Sequence, residues 1–138
     1  TFHRTAYSVH QRVAETYRKG RVFLAGDSAH INNPLGGMGM NGGIHDAVNL
    51  SEKLVKVWNG GADERELDLY DAQRRPIAID YVQKTTIRNK QMLEETDPDA
   101  RKSRHDEMRA TVADPTRARD YLLQSSMIST LRDAERVQ

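Results

Sequence analysis

The sequence predicts an α/β fold to which this chain contributes mostly helices and one or two strands. Three observations support this prediction. A short apolar run at residues 22–25 is typical of a buried strand. After a glycine-rich loop, apolar residues recur at helical spacing from about Met40 to Trp58. Farther along, two Asp-Pro pairs mark the beginnings of further helices.

The predicted strand ends at Gly26, and Asp27 follows directly. This order places a carboxylate at the carboxyl end of a strand and the beginning of a helix beside it, where open α/β sheets bind their ligands. The first amides of a helix are unpaired and carry a positive partial charge. A carboxylate accepts hydrogen bonds from hydroxyl groups. The pattern therefore predicts a site for a polyhydroxylated, partly anionic cofactor.

The remaining elements are predicted in chain order. Residues 2–9 alternate loosely, as in a strand, and the polar link at 11–20 is predicted to form a turn or short helix. Gly60 and Gly61 end the first long helix, and a second helix begins after Asp63, with a kink or restart at Pro76. Helices are also expected over 98–112 and 115–126, capped by the aspartates before their prolines. The apolar residues between 121 and 131 are predicted to pack back on the body of the protein.

One motif extends over residues 26–50 and consists of Gly26-Asp27-Ser28-Ala29-His30, Pro34, Gly36, Gly39, Asn41 and residues 46–50. It resembles the second FAD motif of the para-hydroxybenzoate hydroxylase-like flavin monooxygenases. Flanking residues at 17–22 and 69–76 agree with the same family, so the resemblance covers roughly residues 11 to 82. It identifies the parent fold as an FAD/NAD(P)-binding α/β fold.

The resemblance implies FAD as the cofactor and gives roles to individual residues. Asp27, after Gly26, would bind the ribityl hydroxyls, and Pro34 would lie beside the isoalloxazine ring with its carbonyl near the substrate pocket. The implied cofactor-binding residues are Gly26, Asp27, Pro34, Gly36, Gly39, Met40 and Asn41. Gly36 and Gly39 would line the ring, while the amides of Met40 and Asn41 would meet its O2 and N3 edge.

The resemblance also implies an activity. An enzyme of this family reduces FAD with NAD(P)H, adds dioxygen at flavin C4a and hydroxylates an aromatic ring, here expected to be phenolic or N-heteroaromatic, as in aromatic catabolism. A flavin-dependent reductase or halogenase of the same fold is the alternative, because the discriminating motifs would lie upstream. The residues that activate the substrate are likewise expected outside this chain. Ser28 is not predicted to be a hydrolase nucleophile, since it lacks a Gly-x-Ser-x-Gly frame.

The amino-acid composition of the chain limits the classes of function that are expected for it. The 138 residues carry a formal net charge of +1, which gives no argument for a nucleic-acid or anionic-membrane partner. The chain has no cysteine, so a disulfide scaffold is excluded and a cytoplasmic location is expected. No apolar run approaches the ~20 residues of a membrane span. The histidines lack metal-ligand spacing, so no metal site is predicted.

No Gly-x-Gly-x-x-Gly fingerprint follows a strand in this sequence. In the family that residues 26–50 resemble, this fingerprint lies near the N-terminus and holds the ADP half of FAD. The resemblance therefore implies that the chain is a C-terminal portion of a larger enzyme, with the missing N-terminal part as its partner. Residues 1–10 would end a substrate-domain strand, 11–96 would belong to the FAD domain, and 97–138 would form a helical tail. By itself the chain is expected to be inactive, to bind FAD weakly or not at all, and to self-associate; a homo-oligomer is expected.

Several residues have competing interpretations. Trp58 is predicted to anchor the core, and Asn41 could be a helix N-cap only. Arg74 is predicted to pair with a carboxylate or helix end, and His30 and His45 to lie near the cofactor loop. Arg12 is expected to be a solvated linker charge, with proximity to the cofactor as the alternative. The charged run at 101–107 is predicted to be a solvated helix face.

Overall fold

The structure is a computed structural model that describes residues 3–6 and 8–138. It divides into two compact units, Thr1–Ile87 and Arg88–Gln138. The predominance of helix confirms the predicted class, although the described residues contain four very short strands instead of one or two. The strands are β1 Arg12–Val13, β2 Arg18–Lys19, β3 Val22–Phe23 and β4 His30–Ile31. The α-helices are α1 Met38–Trp58, α2 Asp68–Ile77, α3 Lys84–Glu94, α4 Pro98–Ala113, α5 Pro115–Ser125 and α6 Ile128–Glu135.

The strands form two separate antiparallel pairs in the first unit. β1 pairs with β4, and β2 pairs with β3. The prediction of a buried strand over 22–25 is wrong in length and in burial, because β3 has two residues and Val22 is 66% exposed. Within the described residues β3 has a partner on one side only, so a single hairpin neighbour covers it.

The segment before β2 differs from the prediction. Phe2 and Tyr7 of the predicted 2–9 strand lie outside the described residues, and residues 3–6, 8 and 9 form no strand. The 11–20 link, predicted as a turn or helix, instead contains β1 and β2. The domain limits at 10 and 96 stay predictions; the division of the structure falls after Ile87.

Helix α1 begins two residues earlier than predicted. Its N-cap is Gly37, whose φ of 64° is a left-handed conformation that favours glycine. The interpretation of Asn41 as an N-cap is therefore wrong, since Asn41 lies inside the helix. The predicted glycine stop is confirmed: Gly60 N–H donates to the Val57 carbonyl at 3.1 Å and Gly61 N–H to the Lys56 carbonyl at 2.9 Å.

The two faces of α1 are reversed relative to the predicted packing. Its buried residues include Asp46 and Lys53, whereas the apolar residues of the predicted stripe are exposed. Trp58 is 90% exposed, so its prediction as a core anchor is wrong for this chain. The core instead forms around Tyr17 and Tyr70, which are both fully buried.

The second helix begins as predicted, with the Asp63 carboxylate accepting a hydrogen bond from the Arg65 amide at 2.7 Å. A short 3-10 turn precedes α2. Pro76 lies inside α2 without ending it, and the hydrogen-bonding register changes only at Ala78–Gln83, which form a π-helix. A proline removes one backbone donor, and here the chain continues through a wider turn into α3.

The second unit contains the two helices predicted from the Asp-Pro pairs. Asp97 caps α4 and Asp114 caps α5, each through a side-chain oxygen that accepts backbone N–H groups. The predicted solvated face is confirmed, because the residues from 101 to 107 are exposed except for half-buried Arg104. Met127 is buried, whereas Tyr121 and Leu122 are exposed; their packing on the body stays a prediction. In the described residues, no helix has the length and apolar character to cross a membrane.

Candidate cofactor site

The predicted acidic residue lies on an exposed turn. Gly26–Ser28 form a single 3-10 turn directly after β3 and Ala25, and the Asp27 side chain is exposed. Among the described residues no hydrogen bond or ion pair engages its carboxylate. Ser28 instead closes the turn, because its hydroxyl donates to the Ala25 carbonyl at 2.8 Å. The structure therefore leaves Asp27 free to accept hydrogen bonds from a ligand.

The Asp27 turn packs directly against the first part of α1. A Cβ placed on Gly43 would lie 3.3 Å from the Gly26 Cα, which is tighter than ordinary van der Waals contact. A Cβ on Gly42 would lie 3.1 Å from the His30 ring. Glycines at both positions let the two backbones approach. Because Gly43 lies five residues after Met38, this contact is ~7.5 Å along the axis from the beginning of α1.

A buried ion-pair cluster holds this arrangement together. Asp46 is fully buried, and its Oδ1 accepts a hydrogen bond from Arg74 Nε at 2.8 Å. Its Oδ2 accepts from His30 Nε2 at 2.7 Å and from the Gly26 amide at 3.1 Å. One carboxylate thus connects α1, α2, β4 and the Asp27 turn. The predicted pairing of Arg74 with a carboxylate is confirmed, and His30 lies beside the cofactor loop as predicted.

The protonation states of the cluster follow from its hydrogen bonds. Burial alone would raise the pKa of Asp46, but hydrogen bonds from His30 and Arg74 together with the Arg74 charge outweigh burial and lower that pKa. An ionised carboxylate only accepts hydrogen bonds, so Nε2 of His30 carries a proton. His30 also stacks against the Tyr17 ring at 6.1 Å between centroids. Burial raises the pKa of Tyr17, so it stays a neutral phenol.

The beginning of α1 offers unpaired backbone donors. Gly37 provides no side-chain cap for the amides of Met38, Gly39 and Met40, which come before the first donor of the helical register. Met40 is 75% exposed. Asn41 is also exposed, and its amide is the first that has an acceptor by helical register, the carbonyl of the N-cap residue Gly37. The predicted roles of the Met40 and Asn41 amides stay predictions.

The loop before α1 presents Pro34. Pro34 is exposed, and its carbonyl accepts a hydrogen bond from the Gly37 amide at 3.1 Å. Gly36 has a φ of 119°, which only glycine adopts without strain. Gly39 is half-buried in the first turn of α1, where an added Cβ would lie 3.4 Å from the Asn32 side-chain oxygen. The structure thus brings Pro34, Gly36 and Gly39 together around the beginning of α1.

Two other residues from the sequence analysis, Arg12 and His45, contribute less to the candidate cofactor site. Arg12 is exposed and belongs to β1, opposite Ile31. His45 is half-buried, and burial followed by the nearby Arg74 charge lowers its pKa. Among the described residues no three histidine, aspartate or glutamate side chains form a group suited to a metal ion.

Sequence reasoning missed the polar face of α1. The sequence pattern includes Asp46 only as part of a motif, and it gives Lys53 no role. Lys53 is 5% exposed and donates to Asn49 Oδ1 at 3.0 Å and Gln73 Oε1 at 2.7 Å. Burial lowers the pKa of Lys53. The available signal was the spacing of Asp46, Asn49 and Lys53, which places all three on the side of the helix opposite the apolar stripe.

The described residues fit the FAD that the resemblance implies. The free carboxylate of Asp27 can accept hydrogen bonds from ribityl hydroxyls. The uncapped amides at the beginning of α1 can donate to a carbonyl edge, and the helix dipole favours negative charge there. The Gly26–Gly43 contact packs the Asp27 turn against the same helix, five residues after its first residue, Met38. The geometry thus supplies an acceptor for the chain of the cofactor and donors for its ring.

Comparison with known proteins shows the family of the region that contains the candidate site. A family described as "FAD binding domain" matches residues 1–85. Para-nitrophenol 4-monooxygenase of Pseudomonas sp. strain WBC-3 is 38% identical over 135 residues, covering 97% of this chain and 33% of that protein. Rifampicin monooxygenase of Rhodococcus hoagii is 51% identical over 74 residues, covering 54% of this chain and 15% of that protein. The chain therefore spans a third or less of these relatives.

Solved structures of flavin hydroxylases superpose on this chain, in agreement with the family match. The crystal structure of p-nitrophenol 4-monooxygenase from Pseudomonas putida DLL-E4 superposes with a TM-score of 0.78 at 39% identity, covering 86% of this chain and 31% of that one. An aromatic hydroxylase from angucycline biosynthesis superposes with a TM-score of 0.73 at 32% identity, covering 87% of this chain and 24% of that one.

Proposed function

Because the chain belongs to the FAD-binding domain family, we propose that the whole protein is an FAD-dependent monooxygenase that hydroxylates an aromatic compound. Its relatives include enzymes named for the oxidation of para-nitrophenol and 4-methyl-5-nitrocatechol. These names favour a phenolic substrate, with an N-heteroaromatic ring as the other member of the class. NAD(P)H is the proposed electron donor and dioxygen the oxidant.

The observation that supports this proposal most strongly is the contact between Gly26 and Gly43. It packs the turn that carries the free carboxylate of Asp27 against α1, about one and a half helical turns from the uncapped beginning of that helix. In the proposed site Asp27 accepts hydrogen bonds from the ribityl hydroxyls. The amides of Met40 and Asn41 face the O2 and N3 edge of the ring.

Placement and electrostatics are what this chain contributes to the reaction. FAD, when bound, supplies electron transfer from NAD(P)H to dioxygen and the transfer of one oxygen atom to the aromatic ring. The positive end of α1 stabilises negative charge on the edge of the ring. Pro34, on the exposed loop, would lie beside the ring with its carbonyl near the substrate pocket. Gly36 and Gly39 leave room for the flat ring because they carry no side chain.

Other parts of the whole protein complete the proposed site. The parts of the whole protein beyond the matched region supply the ADP-binding portion of the FAD site and the groups that activate the substrate. They also cover the exposed apolar face of α1, since apolar surface gains free energy when it is removed from water.

Oxygen consumption by the purified whole protein tests this function. We expect stoichiometric FAD and NAD(P)H oxidation that is stimulated by phenols such as 4-nitrophenol, with incorporation of one oxygen atom from ¹⁸O₂ into the product. A requirement for halide would assign the protein to the halogenases. NAD(P)H-dependent product formation without incorporated ¹⁸O would assign it to the reductases, and either result would overturn the monooxygenase proposal.

A further inference from the structure

Asn33, directly before Pro34, is the buried end of an otherwise exposed loop. It is 6% exposed, and every polar atom of its side chain has a partner. Its Nδ2 donates to Gln11 Oε1 at 2.8 Å and to the Thr86 carbonyl at 3.1 Å. Its Oδ1 accepts from the Leu35 amide at 3.0 Å. One side chain thus fixes the backbone on both sides of Pro34 to distant parts of the first unit.

A second layer of hydrogen bonds holds the partners of Asn33 in place. Gln11 Nε2 donates to Gln83 Oε1 at 2.9 Å and to Thr86 Oγ1 at 2.8 Å. Gln83 Nε2 donates to the Ile31 carbonyl at 2.8 Å, which is in β4. Thr86 has no exposed surface, and its hydroxyl donates to the Val82 carbonyl at 2.8 Å. These bonds join three side-chain amides, the Thr86 hydroxyl and several backbone carbonyls into one network, and a buried polar group that loses its partner is costly.

The network is anchored where the helix changes register. Gln83 is the last residue of the π-helix Ala78–Gln83, and Thr86 lies in the first turn of α3. π-Helical turns are rare in proteins, and those that occur often lie at functional sites. In this chain the π-helix is followed immediately by residues that hold the Pro34 loop. The register change therefore has an identified structural consequence at the proposed site.

We propose that Asn33 is a positioning residue for Pro34, and that its network with Gln11, Gln83 and Thr86 sets where the aromatic substrate lies against the flavin. This inference rests on the proposed function, in which Pro34 lies beside the flavin with its carbonyl near the substrate pocket. A residue before proline is already restricted to extended backbone. The hydrogen-bond network holds this extended end of the loop in one place. The other end of the loop, at Gly37, is held by α1.

The test uses the whole protein with the substitution Asn33→Leu, which is neutral and similar in size but has no hydrogen-bonding group. The matched control is Asn59→Leu at the exposed end of α1. We expect Asn33→Leu to bind FAD stoichiometrically. Its Kd for 4-nitrophenol, measured by equilibrium dialysis without turnover, should rise about tenfold. The absorption band of its bound flavin should change shape, and Asn59→Leu should match the wild type in both measurements.

A second pair of variants covers the case in which Asn33→Leu fails to fold. Thr86→Val removes the hydroxyl that Gln11 contacts, and Thr85→Val makes the same change one residue earlier. We expect Thr86→Val alone to weaken 4-nitrophenol binding, by about threefold. Unchanged 4-nitrophenol binding per bound FAD in Asn33→Leu, or in Thr86→Val if that variant alone folds, would overturn the inference.

These experiments distinguish failure of the proposed function from failure of the positioning role of Asn33. If the wild-type whole protein bound neither FAD nor 4-nitrophenol, both proposals would fall together. If the wild type bound both and the variants were indistinguishable from it, only the role of Asn33 would fall.

Discussion

Asp46 and Arg74 form an ion pair at 2.8 Å in which neither side chain is more than 2% exposed. Removing one partner of a buried pair leaves the other charge without compensation, which is strongly destabilising. The pair also connects α1 to α2 beside the Asp27 turn. The organisation of the proposed cofactor site therefore depends on a residue that does not contact the cofactor.

Asp46→Asn should destabilise the whole protein by about 3–5 kcal/mol, because it removes the negative charge that compensates Arg74. Asp80→Asn is the matched control, since Asp80 pairs with Lys84 at the surface and both side chains are well exposed. An exposed pair contributes about 0–1 kcal/mol, so the control should stay close to the wild type. Urea unfolding measures both values, and equal stabilities for the two variants would contradict the account.

The stabilisation from Asp46 should depend on pH in a predictable direction. The pKa of Asp46 in the folded protein lies below its ordinary value of 3.8, so the folded state favours the ionised form. Its contribution is complete above the ordinary value and is lost as pH falls through the folded pKa. The difference in unfolding free energy between wild type and Asp46→Asn should therefore be constant near neutral pH and shrink in acid below 3.8. A difference that grew on acidification would have the wrong sign.

Gly43→Ala should weaken FAD binding although alanine favours a helix. The added Cβ would lie 3.3 Å from the Gly26 Cα, a backbone atom, so the Asp27 turn would have to shift. Overpacking of this kind costs about 1 kcal/mol or more, which predicts about fivefold weaker FAD binding. Gly61→Ala is the matched control, because an added Cβ at that position would lie 3.5 Å from the Lys56 carbonyl oxygen, an ordinary van der Waals contact. Fluorescence titration with FAD measures both, and wild-type affinity for Gly43→Ala would show that the contact does not matter.

The isolated chain should self-associate and retain little FAD. Its α1 helix exposes a single apolar face, with exposures of 52% for Ile44, 51% for Val48, 57% for Val55 and 90% for Trp58. Such a patch favours association in water. Light scattering should show oligomers that Val48→Glu with Val55→Glu reduces. Gln91→Glu with Ser103→Glu adds the same charge elsewhere as a control, and a monomeric wild-type chain would contradict this prediction.

The features predictable from the sequence were those encoded locally. Asp97 and Asp114 before proline define the caps of α4 and α5, and Gly60 defines the end of α1, because each residue satisfies backbone groups within a few positions. The motif around Asp27 located the candidate cofactor site. The spacing of the residues in this motif is set by the strand, turn and helix to which they belong.

Long-range relationships could not be predicted in the same way. Hydrophobic periodicity in α1 indicated two faces but not which face this chain buries, so Trp58 was assigned to the core incorrectly. Asn33 and Thr86 are 53 positions apart, and no local pattern relates them. Asp46 forms its bonds with residues up to 28 positions away, so its central role appears only in three dimensions.

The central claim is that the Asp27 carboxylate and the beginning of α1 bind one flavin, and FAD affinity of Asp27→Ala in the whole protein tests it most directly. Hydrogen bonds to a charged acceptor contribute about 1.5–3 kcal/mol, so Kd for FAD should rise roughly 10- to 150-fold. Asp120→Ala, at an exposed position in α5, should leave the Kd unchanged. An Asp27→Ala protein that binds FAD as tightly as the wild type would contradict the claim.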